Sequence, residues 1–367
     1  MPEGCHASPV LQDNIGLIFF EEFFIMDMKE EKIFKTFEEQ IEVLKRKKLK
    51  FKNEEFALDI LKKVNYYSLI NAYKEVFLNP NYIKTKIEDL DEMYKENTFF
   101  ENLFWLYHFD SEMRSNLLKY IFIAESNIKT KLSYYFCEKH KTDNNAYQNV
   151  NNFNYTFQLK ETINYLVQKL NKTISKQSRI NGTRINHYIT NYETVPLWVL
   201  MPQLDFGTTA YFFKCCKKDI QSKIAKNIKM EFIKFYSEFD KDYIFAGEAL
   251  SNIIFFINSF RNICAHNERL YDYRFINNTV DINKFIIHEY YNLRFKYSVF
   301  DLILVLKFFI SPEEYDTLTV LLTNSLVFLY KNFEEKIFIK VLNKMKFPKN
   351  WEEILETKGN FQFMIRE

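Results

Sequence analysis

Hydrophobic residues recur three or four positions apart along most of the chain, which is the spacing of an amphipathic helix. The longest such stripe runs through residues 99–137 and predicts one very long helix or two stacked ones. Shorter stripes predict helices at residues 30–49, 156–178 and 247–269, and Asn53 is placed to cap another helix. Towards the C-terminus the pattern predicts two more helices, over residues 285–310 and 312–345. The pattern as a whole predicts an all-α fold.

The scarcity of turn-forming residues points the same way. The 367 residues include six Gly and seven Pro, and none of these lies between Pro80 and Gly182. A β-rich fold needs many tight turns, for which Gly and Pro are the usual residues. Ile, Phe and Tyr are abundant and favour strands by propensity, so the composition alone does not decide between helix and strand.

The length allows one large or two ordinary domains. The longest apolar run, residues 15–26, contains two glutamates and is shorter than the roughly 20 residues of a membrane span. A signal peptide requires a basic segment before its apolar run, and no Lys or Arg precedes this one. We therefore expect an N-terminal extension over residues 1–27, with the biological start at Met26 or Met28, and no membrane contact. The other expected regions are an N-terminal helical region (28–98), a core with the candidate site (99–284) and a C-terminal helical region (285–367).

The net charge of +2 gives no overall case for nucleic-acid binding, so an RNA site has to come from local patches. Five cysteines without a C-x-x-C pair indicate neither a zinc site nor a disulfide framework. We expect no metal site, no cofactor and a cytoplasmic location. Two basic runs are candidate RNA-binding segments, although the default explanation is that the first complements a helix dipole and the second covers a solvated face. The candidates are Lys45, Arg46, Lys47, Lys48, Lys217, Lys218, Lys223 and Lys226.

Residues 259–271 concentrate guanidinium, amide and imidazole groups. If this segment is helical, Asn262, His266 and Arg269 lie within about 60° of each other around the axis, and Arg261 lies roughly 100° from Asn262. Arginine binds phosphate oxygens bidentately, and histidine exchanges protons near neutral pH. These groups suit RNA cleavage, in which the RNA 2′-hydroxyl is the nucleophile. In this hypothesis Arg261 binds the phosphate, His266 is the acid or base, and Asn262 orients it.

Such cleavage needs both an acid and a base, whereas the motif offers one histidine. A two-fold dimer would supply the second copy. The competing interpretation is a structural hydrogen-bond network, and the spacing leaves both open. On the predicted long helix, Asp110–Arg114 and Glu125–Lys129 are i,i+4 pairs, which either form salt bridges or support the site. The candidate supporting residues are Asp110, Arg114, Glu125, Lys129 and Arg269.

The segment Arg261-Asn-Ile-Cys-Ala-His266 resembles the R-N-x-x-x-H form of the R-x4-H motif in the HEPN superfamily. Further blocks are similar, in the same order, to Abi proteins of the AbiD/AbiF type. The resemblance covers about residues 28–352, nearly the whole chain. The similar blocks are residues 64–77, 106–114, 124–129, 195–200 and 347–351.

The resemblance implies a HEPN-like helical bundle, with additional helices at both ends, that acts in abortive infection, a bacterial defence against phage. It also implies metal-independent RNA cleavage by a homodimer with a composite site, restrained by a small non-coding RNA. Arg261 and His266 match the catalytic pair, Asn262 its polar companion, and Glu125 the acidic position of the long-helix block. Lys129 stands where many relatives have Arg, which weakens a bidentate role there.

The first functional hypothesis is therefore a ribonuclease toxin, and the intact Arg261 and His266 favour it. The alternative is a non-catalytic RNA-binding or sensor protein of a defence or toxin–antitoxin system. A purely structural helical protein is a third interpretation. HEPN toxins that are modified on tyrosine carry His-x-Tyr, whereas the nearest tyrosine after His266 is Tyr271, which argues against that regulation here.

Overall fold

The computed structural model describes residues 33–82, 91–239, 242–276, 282 and 285–356. The expected N-terminal extension lies outside these residues. Within them the regular structure is helical and there is no strand, which confirms the all-α prediction. The α-helices are α1 (Phe37–Arg46), α2 (Glu54–Lys63), α3 (Phe100–Lys139), α4 (Lys160–Ser178), α5 (Arg184–Tyr192), α6 (Leu197–Leu200), α7 (Phe206–Cys215), α8 (Lys218–Phe235), α9 (Gly247–Ala265), α10 (Ile286–Tyr290), α11 (Val299–Leu306), α12 (Pro312–Asn332), α13 (Glu335–Met345) and α14 (Trp351–Ile354).

The 40-residue helix α3 is the axis of the fold. It is one continuous helix, about 60 Å long at 1.5 Å per residue, rather than two stacked helices. Helices α8, α9, α11 and α12 pack against it. Buried side chains from α1 to α14 form one continuous core, so the three expected regions share it, and their boundaries stay predictions.

Helix α1 begins at Phe37, so the predicted start at residue 30 was wrong. The Thr36 side chain accepts a hydrogen bond from the Glu39 amide, and the Glu39 carboxylate accepts one from the Thr36 amide. This capping box fixes the first turn. Ile33 therefore lies before the helix and is 79% exposed instead of belonging to the apolar stripe. The Asn53 cap of α2 is confirmed, because its side chain accepts from the Phe56 amide.

The two predicted C-terminal helices are each divided in two. Between α10 and α11, Asn292 and Tyr297 adopt positive φ angles, which no helix accommodates. A capping box of Ser298 and Asp301 then starts α11. Helix α12 starts with Pro312 in its first turn, as predicted, and ends at Asn332, where the extended Phe333 leads into α13. Apolar periodicity continues across these breaks because the separate helices bury their faces in the same core.

A buried polar cluster joins α3 to the segment that follows α9. Asp110 and Arg114 are 0% and 2% exposed and form an ion pair of 2.6 Å. Asp110 also accepts from the Tyr73 hydroxyl (2.6 Å) and the Leu270 amide (2.9 Å). The pair is therefore a buried salt bridge, which is one of the two interpretations that its i,i+4 spacing allowed. Because Asp110 also holds the Leu270 amide, the pair fixes the path of the chain after α9.

We predict that Asp110→Ala lowers the free energy of unfolding by about 3–5 kcal/mol, because it leaves the Arg114 charge buried without its partner. The control Tyr73→Phe removes the hydroxyl that donates to Asp110 and accepts from Arg114, and it should cost about 1–2 kcal/mol because the ion pair itself remains. Urea denaturation at pH 7 measures both changes. Equal, small losses for the two variants would show that the ion pair does not hold this part of the fold.

Candidate functional site

The Arg–Asn–His motif lies at the C-terminal end of α9. Asn262 is one helical turn before His266, and the His266 amide donates to the Asn262 carbonyl at 2.9 Å. His266 is the C-cap, Asn267 has a φ of 55°, and the Glu268 amide donates to the Ile263 carbonyl at 3.1 Å. This is the hydrogen bond of a Schellman motif, with asparagine in the left-handed position. The helix therefore ends at Ala265, and the predicted extension to residue 269 was wrong.

Because the helix ends there, Arg269 does not share a helical face with Asn262 and His266. Its Nη1 donates to the carbonyl of Ala72, and its Nε pairs with Asp272 at 2.7 Å. The guanidinium therefore holds the chain after α9 against the segment before α3. The helical geometry assumed for Arg269 was wrong, and its supporting role becomes one of positioning the backbone.

The motif side chains face outward from the core. Asn262 and His266 are exposed, and Arg261 is partly exposed. Within the described residues, none of these three side chains makes a hydrogen bond. Arg261 lies five residues before His266, about 7.5 Å along the helix axis. An exposed histidine without a hydrogen-bond partner is poorly explained by a structural network in the core.

Arg261 faces the middle of α3. Its Nε is 3.9 Å from Oε2 of Glu125, and its guanidinium carbon is 5.8 Å from the centre of the Phe122 ring. The other carboxylate oxygen of Glu125 accepts from Nζ of Lys129 at 2.6 Å, and that ammonium also donates to the Leu204 carbonyl. Glu125 and Lys129 are thus brought together with Arg261, as the supporting-shell hypothesis requires.

Asp110 and Arg114 lie under the segment that leaves the motif. Arg114 donates to the carbonyl of Glu268 at 3.3 Å, while Asp110 holds the Leu270 amide. The predicted supporting residues therefore form two groups. Glu125 and Lys129 neighbour Arg261, whereas Asp110, Arg114 and Arg269 position the backbone after His266.

The first basic run is partly neutralised by carboxylates. Lys45 pairs with Glu42 and Glu54 at 2.9 Å, and these two partners raise its pKa. Lys47 pairs with Glu92 at 2.8 Å. Arg46 and Lys48 are exposed and form no ion pair with the described residues. The positive charges of Lys45 and Lys47 are therefore explained by local ion pairs, without RNA.

The second basic run lies on α8. Lys217 is the N-cap residue, and Lys223 pairs with Glu138 at 3.2 Å. Lys218 and Lys226 are exposed, with no ion pair to any residue that the structure describes. That these two lysines bind RNA stays a prediction.

Sequence reasoning missed a groove beside Arg261, which we call the aromatic groove. Phe122, Glu125 and Lys129 on α3 and Trp198 on α6 line it, and its volume is about 440 Å³. The sequence carried one signal for it. Trp198 lies in one of the blocks that carry the resemblance, residues 195–200, but the residues around it there are mostly apolar and do not mark it as exposed. The structure leaves that ring 52% exposed.

Other reactive groups near the motif are unsuited to chemistry. Burial raises the pKa of the Cys264 thiol to about 12, so the thiolate is scarce at neutral pH. Tyr271 is fully buried and stacks on Tyr73, and burial raises its pKa. The part of the chain that the structure describes contains no group of three His, Cys, Asp or Glu side chains placed to hold a metal ion. No described helix is both long and apolar enough to cross a bilayer.

Comparison with known proteins identifies the family. The model of the family described as Abi-like protein matches residues 59–272. No curated protein and no solved structure matches the chain significantly. The matched residues are more than half of the 367 and include α3, Arg261 and His266. This family is associated with abortive infection, a defence against phage. The chain therefore belongs to the Abi-like protein family.

Proposed function

We propose that this Abi-like protein is an endoribonuclease toxin of phage defence, with Arg261, Asn262 and His266 at its active site. The observation that carries the proposal is the exposed position of His266 at the end of α9, without a hydrogen-bond partner among the described residues. Arg261 lies on the same helix and is partly exposed. A phosphodiester can approach both side chains from solvent.

The chemistry follows from these groups. A base removes the proton of the RNA 2′-hydroxyl, the 2′-oxygen bonds to phosphorus, and the bond from phosphorus to the 5′-oxygen breaks. An acid protonates that leaving oxygen, so the products are a 2′,3′-cyclic phosphate and a 5′-hydroxyl. Arg261 binds the non-bridging oxygens and stabilises their charge. His266 exchanges the proton, and Asn262, on the same helical face, orients it.

The reaction needs an acid and a base, and each chain offers one motif histidine. We therefore propose a homodimer in which two copies of α9 face each other across a two-fold axis and both His266 side chains enter one site. The resemblance to HEPN proteins, and to the AbiD/AbiF type among them, supports this arrangement. It also supports restraint of the toxin by a small non-coding RNA.

We predict that His266→Ala abolishes cleavage of RNA by at least ~10²-fold without unfolding the protein, because general acid–base groups contribute ~10²–10⁴-fold. The matched control is His187→Ala, since His187 is exposed on α5, away from the motif. Gel assays of a labelled RNA measure cleavage, and circular dichroism measures folding. Loss of the fold in the His266→Ala protein would support a structural motif instead.

Arg261→Lys should fail to restore the activity that Arg261→Ala loses, because an ammonium cannot replace a bidentate guanidinium. RNA binding by both variants, measured by fluorescence anisotropy, separates binding from cleavage. A Lys variant as active as the natural protein would contradict a bidentate phosphate contact. Full RNA binding without any cleavage by the natural protein would instead favour the non-catalytic RNA-binding or sensor protein.

Cleavage should proceed in EDTA, because the substrate supplies the nucleophile while Arg261 and His266 supply charge and protons. Mass spectrometry of the products should find 2′,3′-cyclic phosphate ends. Activity that EDTA removes and Mg²⁺ restores would point to a different mechanism.

The composite site predicts how inactive chains affect active ones. If both His266 side chains are needed, co-expression with a three-fold excess of His266→Ala chains should lower activity per natural chain to about a quarter, because only natural–natural dimers cut. Light scattering should find a dimer. Activity per natural chain that does not change with the excess would show that each chain acts alone.

A further inference from the structure

The aromatic groove next to Arg261 has the properties of a ligand site. Its volume of about 440 Å³ lies in the ~300–1,000 Å³ range of small-ligand pockets. Phe122 and Trp198 line it, and their side chains are 46% and 52% exposed. Large aromatic rings are mostly buried in folded proteins, so two exposed rings in one groove suggest a partner.

One of the side chains that line the groove, Glu125, has a carboxylate oxygen without a hydrogen bond. Glu125 is 8% exposed and lines the groove. Its Oε1 accepts from Lys129, whereas its Oε2 has no hydrogen-bond partner. Nε of Arg261 lies 3.9 Å from Oε2, which is too far for a hydrogen bond. A buried acceptor without a donor costs free energy, and a ligand with an N–H group would recover it.

We propose that the aromatic groove binds one unpaired base of the RNA substrate, chosen for its exocyclic amino group, beside the phosphate held by Arg261. This inference rests on the proposed function. The base stacks on Trp198 and Phe122, as bases of single-stranded nucleic acid stack on aromatic side chains. Its amino group donates to Oε2 of Glu125. Arg261 contacts both Phe122 and Glu125, so a base held there places its phosphate within reach of the guanidinium.

The carboxylate distinguishes between bases. Adenine, cytosine and guanine each carry an exocyclic amino donor, whereas uracil presents carbonyl oxygens on both sides of its one N–H group. A carboxylate accepts from the amino group and repels the carbonyl oxygens. The groove should therefore prefer adenine, cytosine or guanine over uracil.

A second copy of the chain is the other occupant to consider. The core of a protein interface is depleted of charged residues. Here the charged Glu125 and Lys129 lie in the groove itself, together with the hydroxyl-bearing Ser126 and Thr130. This lining fits a nucleotide, which has hydrogen-bonding edges and apolar faces, better than the apolar surface of a second subunit.

The test uses the His266→Ala protein, so that binding is measured without cleavage. Fluorescence anisotropy of labelled five-nucleotide oligo(A), oligo(C) and oligo(U) should find about tenfold tighter binding of the first two. Adding Trp198→Ala should weaken oligo(A) and oligo(C) binding about tenfold. Phe157→Ala is the matched control, because Phe157 is 83% exposed but lies before α4, outside the groove, and it should change nothing.

Glu125→Gln should reverse the preference. The glutamine carbonyl oxygen would take the position that accepts from Lys129, so its amide nitrogen would replace Oε2 and present a donor to the groove. A donor favours the carbonyl groups of uracil, so oligo(U) should gain affinity relative to oligo(A). This reversal separates recognition of the base from a loss of structure, which would weaken all three oligonucleotides alike.

Equal affinities for the three oligonucleotides, or no effect of Trp198→Ala, would overturn the inference. A Trp198→Ala protein that light scattering finds monomeric, when its parent is dimeric, would assign the groove to subunit contact instead. The base preference without any cleavage by the natural protein would support the groove and reject the ribonuclease. Cleavage without the base preference would support the ribonuclease and reject the groove as a base-binding site.

Discussion

The buried pair of Asp110 and Arg114 supports the rest of the candidate site. Two charges removed from water need strong mutual attraction and further hydrogen bonds to offset their desolvation. Tyr73 and the Leu270 amide supply those bonds to Asp110, and Arg114 also donates to the Glu268 carbonyl. Two of these three groups, the Leu270 amide and the Glu268 carbonyl, belong to the segment after α9. The hydrogen bonds that these two groups make with the buried pair therefore also direct the chain away from His266.

This arrangement places the residues proposed to be catalytic at the end of a packed helix. Arg261 lies on the last turns of α9, which packs against α3, and His266 caps the helix where the backbone reverses. The side chains are exposed, while the backbone beneath them is held by buried hydrogen bonds. Fixed backbone and accessible side chains are what a site for a large, charged substrate needs, because the substrate itself completes the polar contacts.

The sequence predicted those features that local patterns determine. The apolar stripe of α3, the Asn53 cap and the first-turn Pro312 all depend on neighbours within a few residues, and the structure contains each of them. The end of α9 was missed because asparagine reaches the left-handed conformation at Asn267 without a glycine to mark it. The exposure of Trp198 was not predicted because it depends on how α6 packs against α3, and the spacing of apolar residues within one segment does not indicate such packing.

The function proposed for this Abi-like protein is cleavage of RNA by attack of the 2′-hydroxyl on the adjacent phosphate, with Arg261 and His266 as the protein groups that assist it. A synthetic RNA in which only the nucleotide before a mapped cleavage site is 2′-deoxy tests that attack most directly. The mechanism predicts that the natural protein stops cutting at this bond and still cuts at unmodified bonds elsewhere in the same molecule. Undiminished cleavage at the deoxy position would contradict the mechanism, because another nucleophile would then have to attack the phosphate.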